Sequence, residues 1–304
     1  MGKIRIWLKA LRAPFFTASI VPVVVGVVIA WFHGFAFHWN YFLLTLVGVI
    51  LLHAGANLTN DYFDHKNGTD EINVEFVHPF SGGSRMIQEH LLAPGAILKA
   101  GIGCLVLGSF IGLWLTFQRG EWILIFGLIG VFSAFFYTAP PIQLVSRGIG
   151  EIFIGLNFGV LITLGSYYVQ CQALSWDAFW ASLPISLLIT GVLYINEFPD
   201  YTADKAAGKH HMVVRLGKKK AVIGYYVLLI LAYILILLGV LLQFLTPFTL
   251  LVFLTLPLAI RILRTVQHSY ADNLKLASAN ANTILLHLLV GMLLATGYVI
   301  DKLV

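Results

Sequence analysis

The sequence predicts an all-α, polytopic membrane protein of nine transmembrane helices. Of its 304 residues, 59% are hydrophobic and only 11% are charged, whereas a soluble globular protein has about 25% charged residues. The mean hydropathy is +0.87. This composition excludes a disordered chain, a disulfide-stapled secreted domain and a water-soluble fold.

Nine apolar runs, each of about the 20 residues that cross a bilayer as a helix, follow one another along the chain. Nearly the whole chain is apolar, so no polar domain could bury these runs inside a soluble core. In lipid the backbone must satisfy its hydrogen bonds within each segment, which requires helices. The predicted spans are residues 14–33, 41–60, 95–117, 121–139, 148–170, 176–197, 221–243, 246–264 and 280–300.

The basic residues orient these helices in the membrane. Threading nine spans puts 17 of the 19 Lys and Arg residues on the side of the N-terminus, and only Arg119 and Lys302 on the other. The positive-inside rule makes the first side cytoplasmic. The net charge of +5 therefore reflects membrane topology, and no nucleic-acid partner is expected.

Two predicted cytoplasmic connections are long, at residues 61–94 and 198–220, and form a cap on a single domain that covers residues 1–304. Long loops in a compact protein are usually functional or disordered. These two collect eight of the 14 acidic residues at their beginnings. The eight are Asp61, Asp64, Asp70, Glu71, Glu75, Glu197, Asp200 and Asp204.

The two acidic clusters share one pattern, in which an asparagine and an acid are followed by an aspartate four positions after the asparagine. The clusters are Asn60-Asp61-Tyr62-Phe63-Asp64 and Asn196-Glu197-Phe198-Pro199-Asp200. Each follows an even-numbered helix, which indicates a pseudo-repeat of two four-helix halves around a central cavity, with the ninth helix left over. A solvated helix end would explain one such cluster, but two on the same membrane face favour a functional site.

The spacing points to metal binding. Residues four apart share a helix face, so the asparagine and aspartate of each cluster point together. In the second cluster, Asp204 lies on the same face as Asn196 and Asp200 if the helix continues past Pro199. Oxygen ligands without a nearby Cys or a matched His pair favour Mg²⁺, and two such clusters would hold two Mg²⁺ ions with a diphosphate between them. The predicted ligands are Asn60, Asp61, Asp64, Asn196, Asp200 and Asp204.

Basic residues lie close to both clusters in sequence. Such cations can hold phosphate oxygens and stabilise a leaving diphosphate, although the positive-inside rule alone would also put cations here. The predicted diphosphate-binding residues are Arg85, Arg147, Lys205 and Lys209.

The histidines divide into two groups. His53 and Asn57 continue the stripe of Asn60 and Asp64 into the membrane. His210 and His211 lie in the second cap loop without a ligand partner at useful spacing, and His287 is alone on the ninth helix. We therefore expect these three to have no role in metal binding or catalysis.

At these residues the sequence resembles the UbiA superfamily of intramembrane prenyltransferases. The resemblance covers the whole chain, and its most specific part is the stretch from Asp200 to Lys209 followed by Val214-Arg215-Leu216-Gly217. It implies a membrane-open cavity, two Mg²⁺ ions and a polyprenyl diphosphate donor. Within the superfamily the chain looks most similar to the menaquinone branch, whose aromatic acceptor is 1,4-dihydroxy-2-naphthoate.

The resemblance also implies a mechanism. The metals, with Arg85, Lys205 and Lys209, neutralise the diphosphate, which departs and leaves an allylic cation for the aromatic acceptor to attack. The acceptor then loses a proton, and in the naphthoate case CO₂ also leaves. The cavity must be dry, because water would quench this cation. Asp64 and Asp70 are candidates to take the proton that the acceptor loses.

Two alternatives remain open at this stage. The acceptor could instead be geranylgeranylglyceryl phosphate, 4-hydroxybenzoate or a chlorin, because the donor motifs can be common to several of these reactions. A different class of protein is an ion-coupled transporter, whose carboxylates would bind the transported ion. Transporters bind near the bilayer midplane on broken helices, whereas these acids follow helix ends on one face, which favours the enzyme.

Overall fold

The computed structural model describes residues 2–304, which contain thirteen α-helices and no β-strand. Four stretches have other helical geometry: 3₁₀ turns at Ala13–Phe16, Leu144–Arg147 and Pro247–Thr255, and a π-helical segment at Leu156–Leu161. The α-helices are α1 (Lys3–Ala10), α2 (Thr17–Phe32), α3 (Trp39–Lys66), α4 (Thr69–Ile72), α5 (Pro94–Arg119), α6 (Trp122–Phe136), α7 (Gly150–Gly155), α8 (Ile162–Cys171), α9 (Trp176–Ala206), α10 (Met212–Leu216), α11 (Lys218–Leu241), α12 (Leu256–Ser269) and α13 (Asn273–Leu303).

Helices occupy all nine of the apolar runs. In the described part of the chain, eight helical stretches are long and apolar enough to cross a membrane. The remaining run forms α6, which has only 15 residues. The all-helical membrane architecture is therefore confirmed, and the ninth span stays a prediction. The eight stretches are Ala13–Phe32, Trp39–Lys66, Pro94–Arg119, Gly150–Cys171, Trp176–Ala206, Lys218–Leu241, Pro247–Ser269 and Asn273–Leu303.

The two helices that carry the acidic clusters are longer than their apolar runs. α3 continues to Lys66 and α9 to Ala206, so the cap loops predicted at 61–94 and 198–220 begin only after these helices end. Pro199 lies inside α9, where Phe198 and Pro199 are both buried. Packing can hold a helix together at a proline when neighbouring groups satisfy the freed backbone. Both clusters therefore lie on helices, and Asp204 belongs to the same helix as Asp200.

The largest hydrophobic cluster joins α2, α9, α11 and α13 through buried residues such as Val21, Ile185 and Leu229. Within it, the hydroxyl groups of Tyr225 and Thr283 lie 2.6 Å apart. Lipid tails are as apolar as leucine, so helices in a bilayer associate mainly by close packing and by hydrogen bonds between them. Both kinds of contact are present in this cluster.

Glycines allow the closest helix approaches. Gly26 of α2 lies against α8, and a Cβ atom at this position would be 2.3 Å from the backbone oxygen of Thr163. Gly103 of α5, in contrast, has nothing within 4 Å of the position that its Cβ would occupy. Replacing each of these two glycines by alanine therefore separates two effects on stability. Both substitutions change a helical glycine, but only the one at Gly26 disturbs a close contact between helices.

Substitution Gly26→Ala should destabilise the protein, because the new methyl group meets backbone that cannot rotate away. We expect a loss of about 1–3 kcal/mol, typical of overpacking, seen as a lower melting temperature of the detergent-purified protein. Gly103→Ala is the matched control and should melt at or above the wild-type temperature. Equal melting of the two variants would contradict the close approach of α2 and α8.

Candidate active site

A cavity of about 380 Å³ lies between α2, α3, α5, α6, α9 and the stretch from α7 to α8. Much of its wall is apolar, with Leu52, Phe126, Leu161 and Val192 among the lining residues. Carboxyl groups collect where the acidic clusters of α3 and α9 lie, and we call this part the acidic end. It is formed by Asp64, Asp70, Glu197, Asp200 and Asp204.

The structure brings the two clusters together around Lys209. The Lys209 Nζ atom lies 2.8 Å from Asp64 Oδ1 on α3 and 3.5 Å from Asp204 Oδ1 on α9. Burial disfavours the charged ammonium, but the carboxylates of Asp64 and Asp204 outweigh it and raise the pKa of Lys209 above its usual range. Asn60 Nδ2 donates to Asp64 Oδ2 at 3.0 Å, so the predicted shared face of α3 is observed.

A glycine loop covers the acidic end and holds the second cluster. Gly82 and Gly83 both have φ of +73°, a left-handed conformation that glycine adopts without strain. The Gly82 backbone N–H donates to Asp200 Oδ2 at 3.2 Å. Asn73, from the same cap loop, donates to Asp200 Oδ1 at 2.6 Å. The loop that follows the first cluster therefore positions the aspartate of the second.

Arg12 compensates the charge of Asp61. The Arg12 guanidinium forms an ion pair with Asp61 Oδ1, and its Nη2 atom donates to Asn60 Oδ1 at 3.0 Å. The Asp61 side chain is only 3% exposed, and it does not line the cavity, whereas Arg12 does. In sequence, Arg12 had no feature that separated it from the other cations before the first span.

His211 links the two acids of α9. Its Nδ1 atom lies 3.3 Å from Glu197 Oε2, and its Nε2 atom lies 3.1 Å from Asp204 Oδ2. Burial lowers the pKa of His211, but the two carboxylates outweigh this effect and raise it to about 10. The two carboxylates therefore favour the protonated form of the imidazole. The expectation that His211 lacks a partner is wrong, because the cap loop folds back onto α9 just before α10.

A third acid, Glu151 of α7, adjoins this group. Its Oε1 atom accepts a hydrogen bond from the Met212 backbone N–H at 2.6 Å. Glu151, Glu197 and His211 each have one atom of a kind that can bind a metal, a carboxylate oxygen or a ring nitrogen. These three atoms all lie within 4.8 Å of one another. Glu151 therefore ties the start of α7 to the end of the second cap loop.

Asp70 also lines the cavity, from α4. Burial, together with the nearby carboxylates of Asp64 and Asp61, raises the pKa of Asp70 to about 9. Its backbone oxygen accepts a hydrogen bond from Arg85 Nη1 at 2.5 Å. Asp70 therefore holds a proton more strongly than an ordinary aspartate.

Three of the four predicted diphosphate-binding cations lie outside the cavity wall. The Arg85 guanidinium lies 4.5 Å above the ring centre of Phe76. Lys205 is exposed, with its ammonium 5.8 Å from the ring centre of Tyr201. Arg147 is exposed and donates to backbone oxygens of its own loop. Of the four, only Lys209 lines the cavity in the described structure.

The donor set at the acidic end fits Mg²⁺. The side chains there offer carboxylate and amide oxygens, the ligands that this ion prefers. The Oδ1 atom of Asn73 is buried without a hydrogen-bond partner, and Asn196, which also lines the cavity, accepts from Asn280 at 2.7 Å. Five carboxyl groups line this end, against the two permanent cations Arg12 and Lys209. Further positive charge is therefore accommodated readily.

Comparison with known proteins gives consistent results. The profile of the UbiA prenyltransferase family matches residues 19–289. The chain is 30% identical over 299 residues to the 2-carboxy-1,4-naphthoquinone phytyltransferase of Synechocystis sp., with 97% of this chain and 93% of the relative covered. It is 27% identical to the 1,4-dihydroxy-2-naphthoate octaprenyltransferase of Bacillus subtilis, with 99% and 94% covered.

The fold is also similar to solved structures. A UbiA homologue from Archaeoglobus fulgidus, solved bound to GPP and Mg²⁺, aligns with a TM-score of 0.64. The alignment covers 96% of this chain and 99% of that chain, at 16% sequence identity. At this identity the comparison establishes the shared fold.

The ion pair between Arg12 and Asp61 should contribute to stability. Arg12→Met leaves the buried Asp61 carboxylate uncompensated, and we expect a loss on the order of 3 kcal/mol in thermal unfolding of the purified protein. Adding Asp61→Asn removes the unpaired charge, so the double variant should recover part of this loss. A double variant that is less stable than either single variant would contradict the pairing.

Proposed function

The chain belongs to the UbiA prenyltransferase family, and on this premise we propose that it transfers a polyprenyl group from its diphosphate to 1,4-dihydroxy-2-naphthoate, a step of menaquinone biosynthesis. One observation carries the proposal: carboxylates of both clusters meet around Lys209 at one end of a largely apolar cavity. That arrangement separates a site for a charged diphosphate and its metal ions from a site for a hydrocarbon chain. The acceptor is proposed from the two naphthoate-related enzymes that align with nearly the whole chain.

We propose that the acidic end holds two Mg²⁺ ions. Asn60 and Asp64 would hold one, with Asp61 in support through its position beside Asn60. Asp200 and Asp204, with Asn196, would hold the other. When bound, Mg²⁺ supplies positive charge that stabilises the departing diphosphate.

The cations of the chain have unequal parts in binding the diphosphate. Lys209 can bind it directly, because its ammonium lies between the two clusters. Arg12 also lines the cavity and can add charge from the side of α3. Arg85, Arg147 and Lys205 lie outside the wall, and we assign them no direct contact. Arg85 instead holds the backbone of Asp70 in place.

The remaining cavity wall serves the organic part of the reaction. Apolar side chains such as Leu52 and Val192 exclude water from the allylic carbon. Asp70 faces the same space, and we propose that it takes the proton lost by the aromatic ring. The positive charge of the metal ions would favour the ionised form of Asp70. Because its pKa is raised, the ionised carboxylate is a stronger base than that of an ordinary aspartate.

Two rival functions are less well supported. Geranylgeranylglyceryl phosphate and 4-hydroxybenzoate would use the same donor site, so the acidic end does not discriminate against them. The naphthoate relatives favour the proposed acceptor because they align over more than nine-tenths of their own length. Ion-coupled transport is disfavoured by membership of a prenyltransferase family.

We further propose that α6 crosses the membrane as a ninth span in a locally thinned bilayer. This count places the acidic end and the N-terminus on the cytoplasmic side, in agreement with the distribution of Lys and Arg. It also makes residues 1–304 one domain of two four-helix halves around the cavity. The facing positions of Asp64 on α3 and Asp204 on α9 support this pseudo-symmetry.

Substitution Asp64→Ala or Asp200→Ala should abolish Mg²⁺-dependent transfer, because each removes a carboxylate from one cluster. The measurement is the prenylated, decarboxylated product formed by detergent-purified enzyme from a polyprenyl diphosphate and 1,4-dihydroxy-2-naphthoate. Glu89→Ala removes an exposed acid of the same cap loop and should leave the rate unchanged. Full activity in both aspartate variants would contradict the assignment of the site.

The same assay with a panel of acceptors tests the substrate. Diphosphate release should require an aromatic acceptor, and naphthoate should give the highest kcat/KM. A higher value with 4-hydroxybenzoate or geranylgeranylglyceryl phosphate would replace the proposed acceptor. Ion flux in liposomes, with no diphosphate release for any acceptor, would favour transport.

His211 should act on metal binding through Asp204. In metal sites, removing a group that orients a ligand typically costs 10–100-fold in affinity or activity. We therefore expect His211→Ala to raise the half-saturating Mg²⁺ concentration by about 10-fold or more. His210→Ala changes the exposed neighbour and should leave that concentration unchanged. Equal Mg²⁺ dependence of both variants would contradict this role.

A further inference from the structure

His53 lies deep in the cavity, away from the acidic end. It is on α3, seven residues before Asn60, and lines the cavity on the same helix face. At a rise of 1.5 Å per residue, it lies about 10 Å along the helix from Asn60. The metal and diphosphate sites proposed above therefore do not reach it.

The surroundings of His53 leave one ring nitrogen without a partner. Its Nδ1 atom is 2.8 Å from the Ser19 hydroxyl oxygen. The rings of Phe16 and Phe158 approach it edge-on, with centroid distances of 5.3 and 4.7 Å. The side chain is 8% exposed. Its Nε2 atom takes part in none of the side-chain hydrogen bonds, and it is not among the fully buried polar atoms that lack a partner. This free nitrogen is therefore open to the cavity that His53 lines, where it is available to a bound ligand.

Chemistry limits which ligand can form this hydrogen bond with Nε2. The isoprenoid chain of the donor is a hydrocarbon and has no group for Nε2 to bind. Its diphosphate belongs at the acidic end, with Lys209. Of the two substrates of a prenyl transfer to an aromatic compound, only the acceptor carries oxygen atoms on the part that enters the apolar region.

We propose that His53 Nε2 donates a hydrogen bond to an oxygen substituent of the aromatic acceptor and so orients its ring toward the allylic carbon. A neutral imidazole has one donor and one acceptor nitrogen. In the tautomer that this proposal requires, the Ser19 hydroxyl donates to Nδ1 and the ring proton lies on Nε2. Phe16 and Phe158 hold the imidazole edge-on and can pack against the aromatic ligand. This assignment rests on the proposed aromatic acceptor.

His287 offers a matched control. It is a buried histidine on a membrane helix, 2% exposed, and its Nε2 atom also has no partner. It lies on α13, and it does not line the cavity. Replacement of His287 therefore also removes a buried histidine from a membrane helix, but it leaves the cavity wall unchanged.

The test is steady-state kinetics with the acceptor and the donor varied separately. His53→Leu should raise KM for the acceptor about 10-fold, the effect of removing one buried hydrogen bond, and leave KM for the prenyl diphosphate within about twofold. His53→Gln retains an N–H donor and should recover most of the loss. His287→Leu should leave both KM values unchanged.

Several results would overturn the proposal. An equal rise of both KM values would show that His53 supports the shape of the cavity and does not bind the acceptor. No change in either KM value would show that the acceptor does not bind Nε2. If His53→Leu fails to fold, His53→Met replaces it in thermal-shift measurements, because the acceptor alone should stabilise wild type, His53→Gln and His287→Leu to a similar extent but His53→Met less. Equal shifts in wild type and His53→Met would contradict a bond at this position.

Failure of the proposed function is distinguishable from failure of this inference. If wild-type protein does not prenylate naphthoate but prenylates another aromatic compound, the proposed acceptor is wrong. The His53 variants are then measured with that compound, and the same split between the two KM values is expected. If no aromatic compound is prenylated, both the function and the role of His53 fall.

Discussion

The mutual repulsion of carboxylates in a low-dielectric setting is the constraint on which the rest of the site depends. Acids brought together between membrane helices raise the free energy of the fold unless cations lie among them. Two separate segments supply these cations: Arg12 precedes α2, and Lys209 and His211 lie in the second cap loop. The same pairs that neutralise the acids therefore also fasten the second cap loop and the N-terminal segment to α3 and α9.

The lengths of α3 and α9 divide the cavity into two chemical regions. Each helix continues beyond its apolar run, so the acids lie one or two turns past the most hydrophobic part of the helix. The wall below them is formed by side chains such as Leu52 and Val192. A substrate with a charged head and a hydrocarbon tail can then match both regions at once. The glycine loop at Gly82 closes the charged region through its bond to Asp200.

Local periodicity predicted the parts of the site that lie within helices. Asn60 and Asp64 share a face because they are four residues apart, and the helix through Pro199 adds Asp204 to Asp200. The loop residues could not be ranked this way, because their positions depend on how the chain folds back. Lys205 and Lys209 are equivalent in sequence, yet only Lys209 reaches the acids. Arg12 and His211 are recognised as partners of the acids only through contacts between distant parts of the chain. Hydropathy also did not predict that α6 would be as short as 15 residues.

The π-helical segment at Leu156–Leu161 gives the cavity wall a particular capacity for change. A π-helical turn holds more residues than an α-helical turn and commonly occurs as a local bulge within an α-helix. Deleting one residue there would restore regular α-helical spacing, and because the bulge already absorbs the extra residue, α8 would keep its orientation relative to α7. Asn157, Phe158 and Leu161 all face the cavity from this segment. In evolutionary terms, a single-codon deletion would thus reshape this part of the wall alone, whereas a deletion in a regular helix would turn every later side chain by about 100°.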